Sequence, residues 1–293
     1  MEVRQLRSAV AIARRLNFTA AAEELALAQP ALSQQIAALE RELGVRLFDR
    51  TNRRVRLTDA GRAFVGRAER VLADLAAAGE EMSAYAGGLR GRVVIGTYQS
   101  FAEATLPKLL GRFHAEHPGV EIALREGLAD ALLAGLRGGA VDVFIGDLVG
   151  AAAADLRIEP LYDDELVIAV AARHRLAARG RIRIEELRDE AFVIFRPGSA
   201  STHRLYRLAR AAGFEPRVAF ESEDTMTVRS LVAEGLGVAL FPRGLGNTPG
   251  PNVALLSVEP RVVRTISLVT REAPYGPAAL GFITFIRTEM LER

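Results

Sequence analysis

Cysteine is absent from the 293 residues. That excludes disulfides, thiolate nucleophiles and cysteine-based zinc sites. Lysine is almost absent: Lys108 stands against thirty-seven arginines, which reads as coding bias, although surface arginine still suits anion recognition. No run of about eighteen apolar residues occurs, the length that a membrane-spanning helix needs. No basic-then-apolar leader opens the chain either, so a cytoplasmic protein is expected. No G-x-S-x-G nucleophile elbow is found, and nothing else argues for an enzyme. His114-x-x-His117 has helical spacing but no third ligand nearby, and Pro118 ends the helix, so neither metal nor cofactor is expected. Gly235-Leu236-Gly237 lacks the further glycines of a phosphate loop and reads as a helix-to-strand turn.

A large charge of one sign is missing too. The formal net charge is +2, with 25% charged and 49% apolar residues, ordinary for a globular chain of two or three domains. Residues 1–60 nevertheless hold ten arginines against seven acids. The remainder is therefore slightly acidic, a balance that suits one nucleic-acid module joined to a neutral sensor.

What is present is concentrated in residues 18–57. A helix over 2–16 precedes them, with Leu6, Ala9, Val10, Ala13 and Leu16 on one face. A short alanine-rich helix over 19–27, with Thr19 as its N-cap, leads into a second helix. There Leu32, Ile36, Leu39 and Leu43 make one apolar stripe of helical period. The opposite side carries Pro30, Ser33, Gln34 and Ala37, with Gln29 at its start. Small residues and amides let a helix enter a groove closely and give paired contacts to base edges. Gly44 stops the helix. Two short alternating runs, 45–50 and 55–57, then flank the turn Thr51-Asn52-Arg53-Arg54, a wing whose tip offers Arg53 and Arg54 to phosphates or a narrow minor groove. An arginine pair in a turn alone would read as a solvated loop; beside this helix pair the balance reverses.

The same residues carry a resemblance. FTAAAEEL, QPALSQQIAALERELGVRLFDR and RVRLTDAG resemble the N-terminal module of LysR-type transcriptional regulators over about sixty residues. Three positions depart from the family's pattern. Ala28 replaces the common Ser or Thr N-cap, at about 1 kcal/mol, and Ala37 and Ala38 stand where many relatives carry Arg or Lys. The resemblance implies a DNA-binding regulator, tetrameric in most members, without the cysteine switch of peroxide-sensing relatives.

Thr58-Asp59 can cap a long helix without Pro as far as Gly87-Gly88. Phe64, Val71 and Ala78 form one heptad series, and Ala68, Leu75 and Met82 another. Packing on the chain's own core is one reading of them; an antiparallel dimerising linker, which the resemblance favours, is the other. Beyond the hinge, strands at 92–96, 120–125, 141–145, 156–161, 166–170, 192–195, 218–220, 238–241 and 266–270 alternate with helices at 102–114, 130–137, 201–212 and 225–235. The helix 277–291 closes the chain. Such alternation predicts parallel doubly wound sheets.

The expected fold is multi-domain, α and α/β. It comprises a winged helix-turn-helix (1–58), a linker helix and hinge (59–88), and an effector domain (89–293). That domain resembles a type 2 periplasmic binding protein of two Rossmann-like subdomains, 91–161 with 266–293 and 162–265. Ligands in such folds bind beyond the carboxyl ends of strands. That rule selects four loops, 97–101, 126–128, 195–199 and 223–225, with Thr97, Gln99, Ser100, Phe101, Leu128, Arg196 and Thr225 as the candidate contacts.

By resemblance, Ser100 matches a position that holds an effector carboxylate, and Leu128 replaces a common threonine, which favours a less polar effector or none of the small carboxylate kind. Arg196 can pair the carboxylate of an organic anion or salt-bridge to Glu223 or Asp224. The function expected is sequence-specific regulation of transcription, modulated by a small molecule, by a homodimer or homotetramer on duplex operator DNA. A transporter's solute-binding protein would explain 91–293 but not the first ninety residues. An α/β hydrolase or transferase would leave the helical module incidental.

Overall fold

The computed structural model describes residues 1–51, 54–85, 89–98, 106–148, 154–272 and 275–291. Helix α1 spans Val3–Arg15 and buries Leu6, Ala9, Val10, Ala11 and Ile12. Leu16 does not join that face. It closes the helix in the left-handed conformation, φ 48°, with its amide on the Ile12 carbonyl, and stays half exposed. Helix α2 spans Phe18–Glu24 and is capped by Asn17 rather than Thr19; the Asn17 side chain accepts from the amides of Thr19 and Ala20 at 2.8 and 3.2 Å. Asn outranks Thr as a cap, which shifts the helix one residue earlier than expected.

Helix α3 spans Gln29–Leu43, with Pro30 in its first turn and Gly44 at φ 70° ending it. Leu32, Ile36 and Leu39 are buried against Ile12, Phe18, Ala21 and Phe48, each worth about 1.5–3 kcal/mol. Leu43 falls past the end of that core and is 37% exposed.

Strands β1 (Phe48–Thr51) and β2 (Arg54–Leu57) pair antiparallel, Phe48 opposite Leu57 and Thr51 opposite Arg54. β1 begins at Phe48 and not at Val45 because α3 pins it there. Glu40 Oε1 accepts from the amides of Leu47 and Phe48 at 2.7 and 3.1 Å. Thr58 Oγ1 accepts from the Gly61 amide at 2.9 Å, starting α4, Asp59–Tyr85. Gly61 is required here: a Cβ would lie 2.0 Å from the Leu47 carbonyl oxygen.

The two heptad series of α4 divide. Phe64 and Ala68 turn inward with Val65 and Leu72 onto Leu6 and Val10 of α1. Val71 and Leu75 are 50% and 49% exposed, and Ala78 is exposed; the Met82 side chain lies outside the described residues.

The rest of the chain builds two lobes. The first holds β3 (Gly91–Thr97), α5 (Leu106–Glu116), β4 (Val120–Glu126), α6 (Ala129–Gly138), β5 (Val143–Gly146) and, at the end of the chain, α10 (Pro277–Leu291). Strands β4, β3 and β5 lie parallel over a core that includes Val93, Ile95, Phe113 and Phe282. The second holds β7 (Arg181–Arg183), β8 (Ala191–Phe195), α7 (Ala200–Ala211), β9 (Arg217–Ser222), α8 (Thr225–Ala233), β10 (Ala239–Pro242) and α9 (Arg243–Gly246). Its core includes Ile168, Phe192, Leu205 and Val238. Gly139, φ 76°, ends α6 so near the linker helix that a Cβ would lie 2.9 Å from that of Ala73.

Purely parallel sheets were the expectation, and β6 and β11 overturn it. β6 (Leu156–Ala171) and β11 (Val253–Arg271) run antiparallel to each other through both lobes. The sequence suggests separate strands at 156–161 and 166–170, with the polar residues Asp163 and Asp164 between them. Pro160 sits beside the register shift between Ile266 and Ser267, where a lost ladder donor is tolerated. Asp164 and Asp163 lie opposite Arg264 and Thr265 and bond to them, Arg264 through Nε at 3.0 Å and Thr265 through Oγ1 at 2.7 Å. Such cross-strand pairs hold a polar stretch in a ladder. Among the described residues, no helix is long and apolar enough to cross a membrane.

Candidate functional site

The outward side of α3 is open. Gln29, Pro30, Gln34 and Ala37 are exposed, and Ser33 is half-buried. Gln29 Nε2 donates to Ser33 Oγ at 3.0 Å, which orients both toward the same face. On the inner side Ser8 Oγ donates to Gln35 Oε1 at 2.8 Å, fixing α1 against α3. The amides at 29 and 34 are thus presented by a helix whose opposite stripe is locked in the core. Arg53 lies outside the described residues; Arg54 opens β2, but its side chain is likewise outside them.

Between the lobes lies a cleft of about 310 Å³, lined from the first by Tyr98, Glu126, Gly127 and Leu128 and from the second by Phe195, Arg196, Ser199, Glu223 and Thr225, with Arg264 at the hinge. It joins three of the expected residues: Leu128, Arg196 and Thr225. Leu128 occupies the N-cap position of α6 and reaches across; a Cβ on Gly198 would lie 3.4 Å from its Cδ1. Thr225 opens α8, whose cap is Asp224, accepting from the Thr227 amide at 2.7 Å. Arg196 pairs with Glu223 at 3.2 Å, and both belong to the second lobe.

Thr97 does not line this cleft. It is fully buried, and its hydroxyl donates to the Ile145 carbonyl at 2.8 Å, a bond between β3 and β5. Gln99, Ser100 and Phe101 lie outside the described residues.

Asp147, Arg204 and Arg264, which lie outside the loops selected from the sequence, and Tyr98, which lies inside one of them, meet around this cleft. Asp147, at the end of β5, forms a two-armed ion pair with Arg204 of α7, both side chains under one-tenth exposed. Tyr98 donates its hydroxyl to the Asp147 carbonyl at 2.5 Å and packs edge-on against Phe144. Burial, and then the charge of Asp147, push the Tyr98 hydroxyl above its ordinary range, so it stays a donor. Arg264, 4% exposed, is neutralised by Asp164. No sequence pattern marks these pairs; their members are widely separated in the chain. His117 packs at a tilt against Phe113 with centroids 4.9 Å apart, and no cluster that could hold a metal occurs among the described residues.

A winged helix-turn-helix joined through a long helix to a two-lobed α/β domain with a cleft at its hinge defines a class: the ligand-responsive DNA-binding regulators. Similarity to known proteins agrees with it. Residues 3–62 match the family described as bacterial regulatory helix-turn-helix protein, lysR family, and residues 86–291 match the LysR substrate binding domain. The chain is 32% identical to the transcriptional dual regulator GltC of Bacillus subtilis, covering 98% of this chain and 96% of that protein. It is 32% identical to OxyR of Escherichia coli, covering 92% and 90%.

Among solved structures, a full-length OxyR variant from Pseudomonas aeruginosa superposes with a TM-score of 0.75 at 28% identity, covering 98% and 95%. Full-length CbnR complexed with its target DNA gives 0.69 at 26%, covering 98% and 99%. The chain belongs to the LysR family of transcriptional regulators, which are not enzymes; it is a DNA-binding regulator with an effector-binding domain. The chain holds no cysteine, which excludes thiol chemistry in it.

Proposed function

We propose that Gln29, Pro30, Ser33 and Gln34 read base edges in the major groove while Arg53 and Arg54 hold the wing on phosphates. The division assumed is 1–58 for DNA binding, 59–88 for linkage and 89–293 for sensing. The observation that carries this reading is the exposure of the amide face of α3 opposite a fully buried stripe. Direct readout needs that face bare, and phosphate contacts supply affinity without sequence information.

The effector occupies the cleft between the lobes. An organic anion would set its carboxylate on Arg196 in place of Glu223, whose exposed pair is worth about 1 kcal/mol or less. Its apolar body would lie against Leu128, Phe195 and Tyr98. The exposed stripe Val71, Leu75 and Ala78 pairs two linker helices in a homodimer, and two dimers form a tetramer in the cytoplasm. Two recognition helices then meet a two-fold operator, and the second contact is strengthened by effective concentration.

Selection of binding sites from random duplexes tests the assignment. Gln34→Ala should relax base preference at its position, at about 1–3 kcal/mol of discrimination. Arg53→Ala should lower affinity for every sequence alike and flatten the salt dependence. Equal losses on all sequences for both variants would show that the division of labour is wrong.

A further inference from the structure

A second cavity lies apart from both sites, where the DNA-binding module, the linker helix and the first lobe meet. It encloses about 260 Å³ and receives Arg14 from α1, Glu69 from α4, and Arg92, Arg125, Asp142 and Arg271 from the first lobe. Four guanidinium groups therefore face two carboxylates, and both carboxylates are committed. Glu69 pairs with Arg14 at 3.4 Å. Asp142 accepts from the Val94 amide at 2.8 Å, and burial raises its pKa, favouring the uncharged form.

Arg92 is drawn to Glu121 at 3.2 Å. Arg271 donates to the Val141 carbonyl at 3.2 Å and lies over the Tyr275 ring at 4.9 Å, and it makes no ion pair among the described residues. Arg125 has no ion pair or hydrogen bond among the described residues, is only partly exposed, and has its pKa lowered first by burial and then by Arg14. Guanidinium does not escape such a site by losing its proton. Like charges brought together at a partly dry junction repel unless an anion enters.

We propose that this junction is a second ligand site that takes a small multivalent oxyanion, such as inorganic phosphate or a short dicarboxylate, among Arg14, Arg125 and Arg271. Guanidinium forks match oxyanion geometry, and the small cavity, bounded also by Val10 and Leu72, excludes bulky ligands. Arg14 belongs to the DNA-binding module, and Arg125 and Arg271 to the sensing domain. The bound ion therefore favours the arrangement in which the two modules are docked, and it acts only through that difference.

Equilibrium dialysis of the full chain against radiolabelled phosphate, with succinate in a parallel arm and chloride at matched ionic strength, tests this. Expected is saturation at one anion per chain below about 10 mM, with Arg125→Gln and Arg14→Gln each weakening binding about tenfold or more. Arg196→Gln, in the other cleft, should leave it unchanged. Saturation by succinate alone would support the site and assign it to dicarboxylates. The proposal is overturned if neither anion saturates, if chloride competes equally, or if binding follows Arg196 and ignores both Arg14 and Arg125.

Discussion

Replacing Arg204 by Met strips the charge from one side of a dry contact between the lobes and leaves the other side stranded. Asp147 and Arg204 are 5% and 9% exposed and meet through two hydrogen bonds. Removing one member of such a pair typically costs about 3–5 kcal/mol, because the remaining charge stays buried without compensation. At about 2–4 °C per kcal/mol for a domain of this size, the unfolding midpoint should fall by roughly 6–20 °C.

Asp147→Leu with Arg204→Met removes both charges together. That double variant should cost less than either single one, giving a coupling of at least about 2 kcal/mol. Urea unfolding of the full chain, followed by a probe in the effector-binding domain, measures all four corners of the cycle. The reasoning fails if Arg204→Met costs under about 1 kcal/mol, or if the two single losses simply add.

Gly61→Ala should cost the N-terminal module about 3 kcal/mol or more, since its methyl would overlap the Leu47 carbonyl oxygen; a lower midpoint for that module and lost DNA affinity would show it. Asp142 has a raised pKa because it is desolvated. The folded chain therefore holds a proton that the unfolded chain releases, and stability falls as pH rises from the ordinary carboxylate range through the raised value. Asp142→Asn should flatten that slope and stabilise the chain at neutral pH, as a midpoint-versus-pH series would record. Leu75→Asp, on the exposed stripe of α4, should shift the assembly toward monomer in sedimentation experiments while changing the monomer's unfolding free energy by no more than about 0.5 kcal/mol.

The recognition helix is legible in the sequence because three apolar side chains at one spacing must share a core and Gly44 must end the turn. The apolar strands of both lobes are legible for a similar reason: short buried runs bounded by turn residues. Continuity is not. Residues 253–265 contain Glu259, Pro260 and Arg261, and residues 160–164 contain Pro160 and paired aspartates, so local composition argues against strand. Cross-strand partners about a hundred residues away override that local preference.

Asp147, Arg204 and Arg264 are hidden in the sequence, because a buried ion pair looks there like any two charges. Thr97 lies behind the cleft lining because a residue at the end of a strand can turn its hydroxyl to the neighbouring strand as readily as outward. Arg196 is readable only as an alternative, and its pairing with Glu223 is the ordinary one of the two.

Two strands, β6 and β11, thread both lobes while bonded to each other along most of their length. The lobes are thus not beads on loose tethers. Any parting of the cleft has to flex a doubled ribbon at Asp164 and Arg264, so the motion resembles a leaf spring, limited in reach and self-restoring. A sensor hung on such a spring returns to its resting shape once its ligand departs, without a separate resetting step.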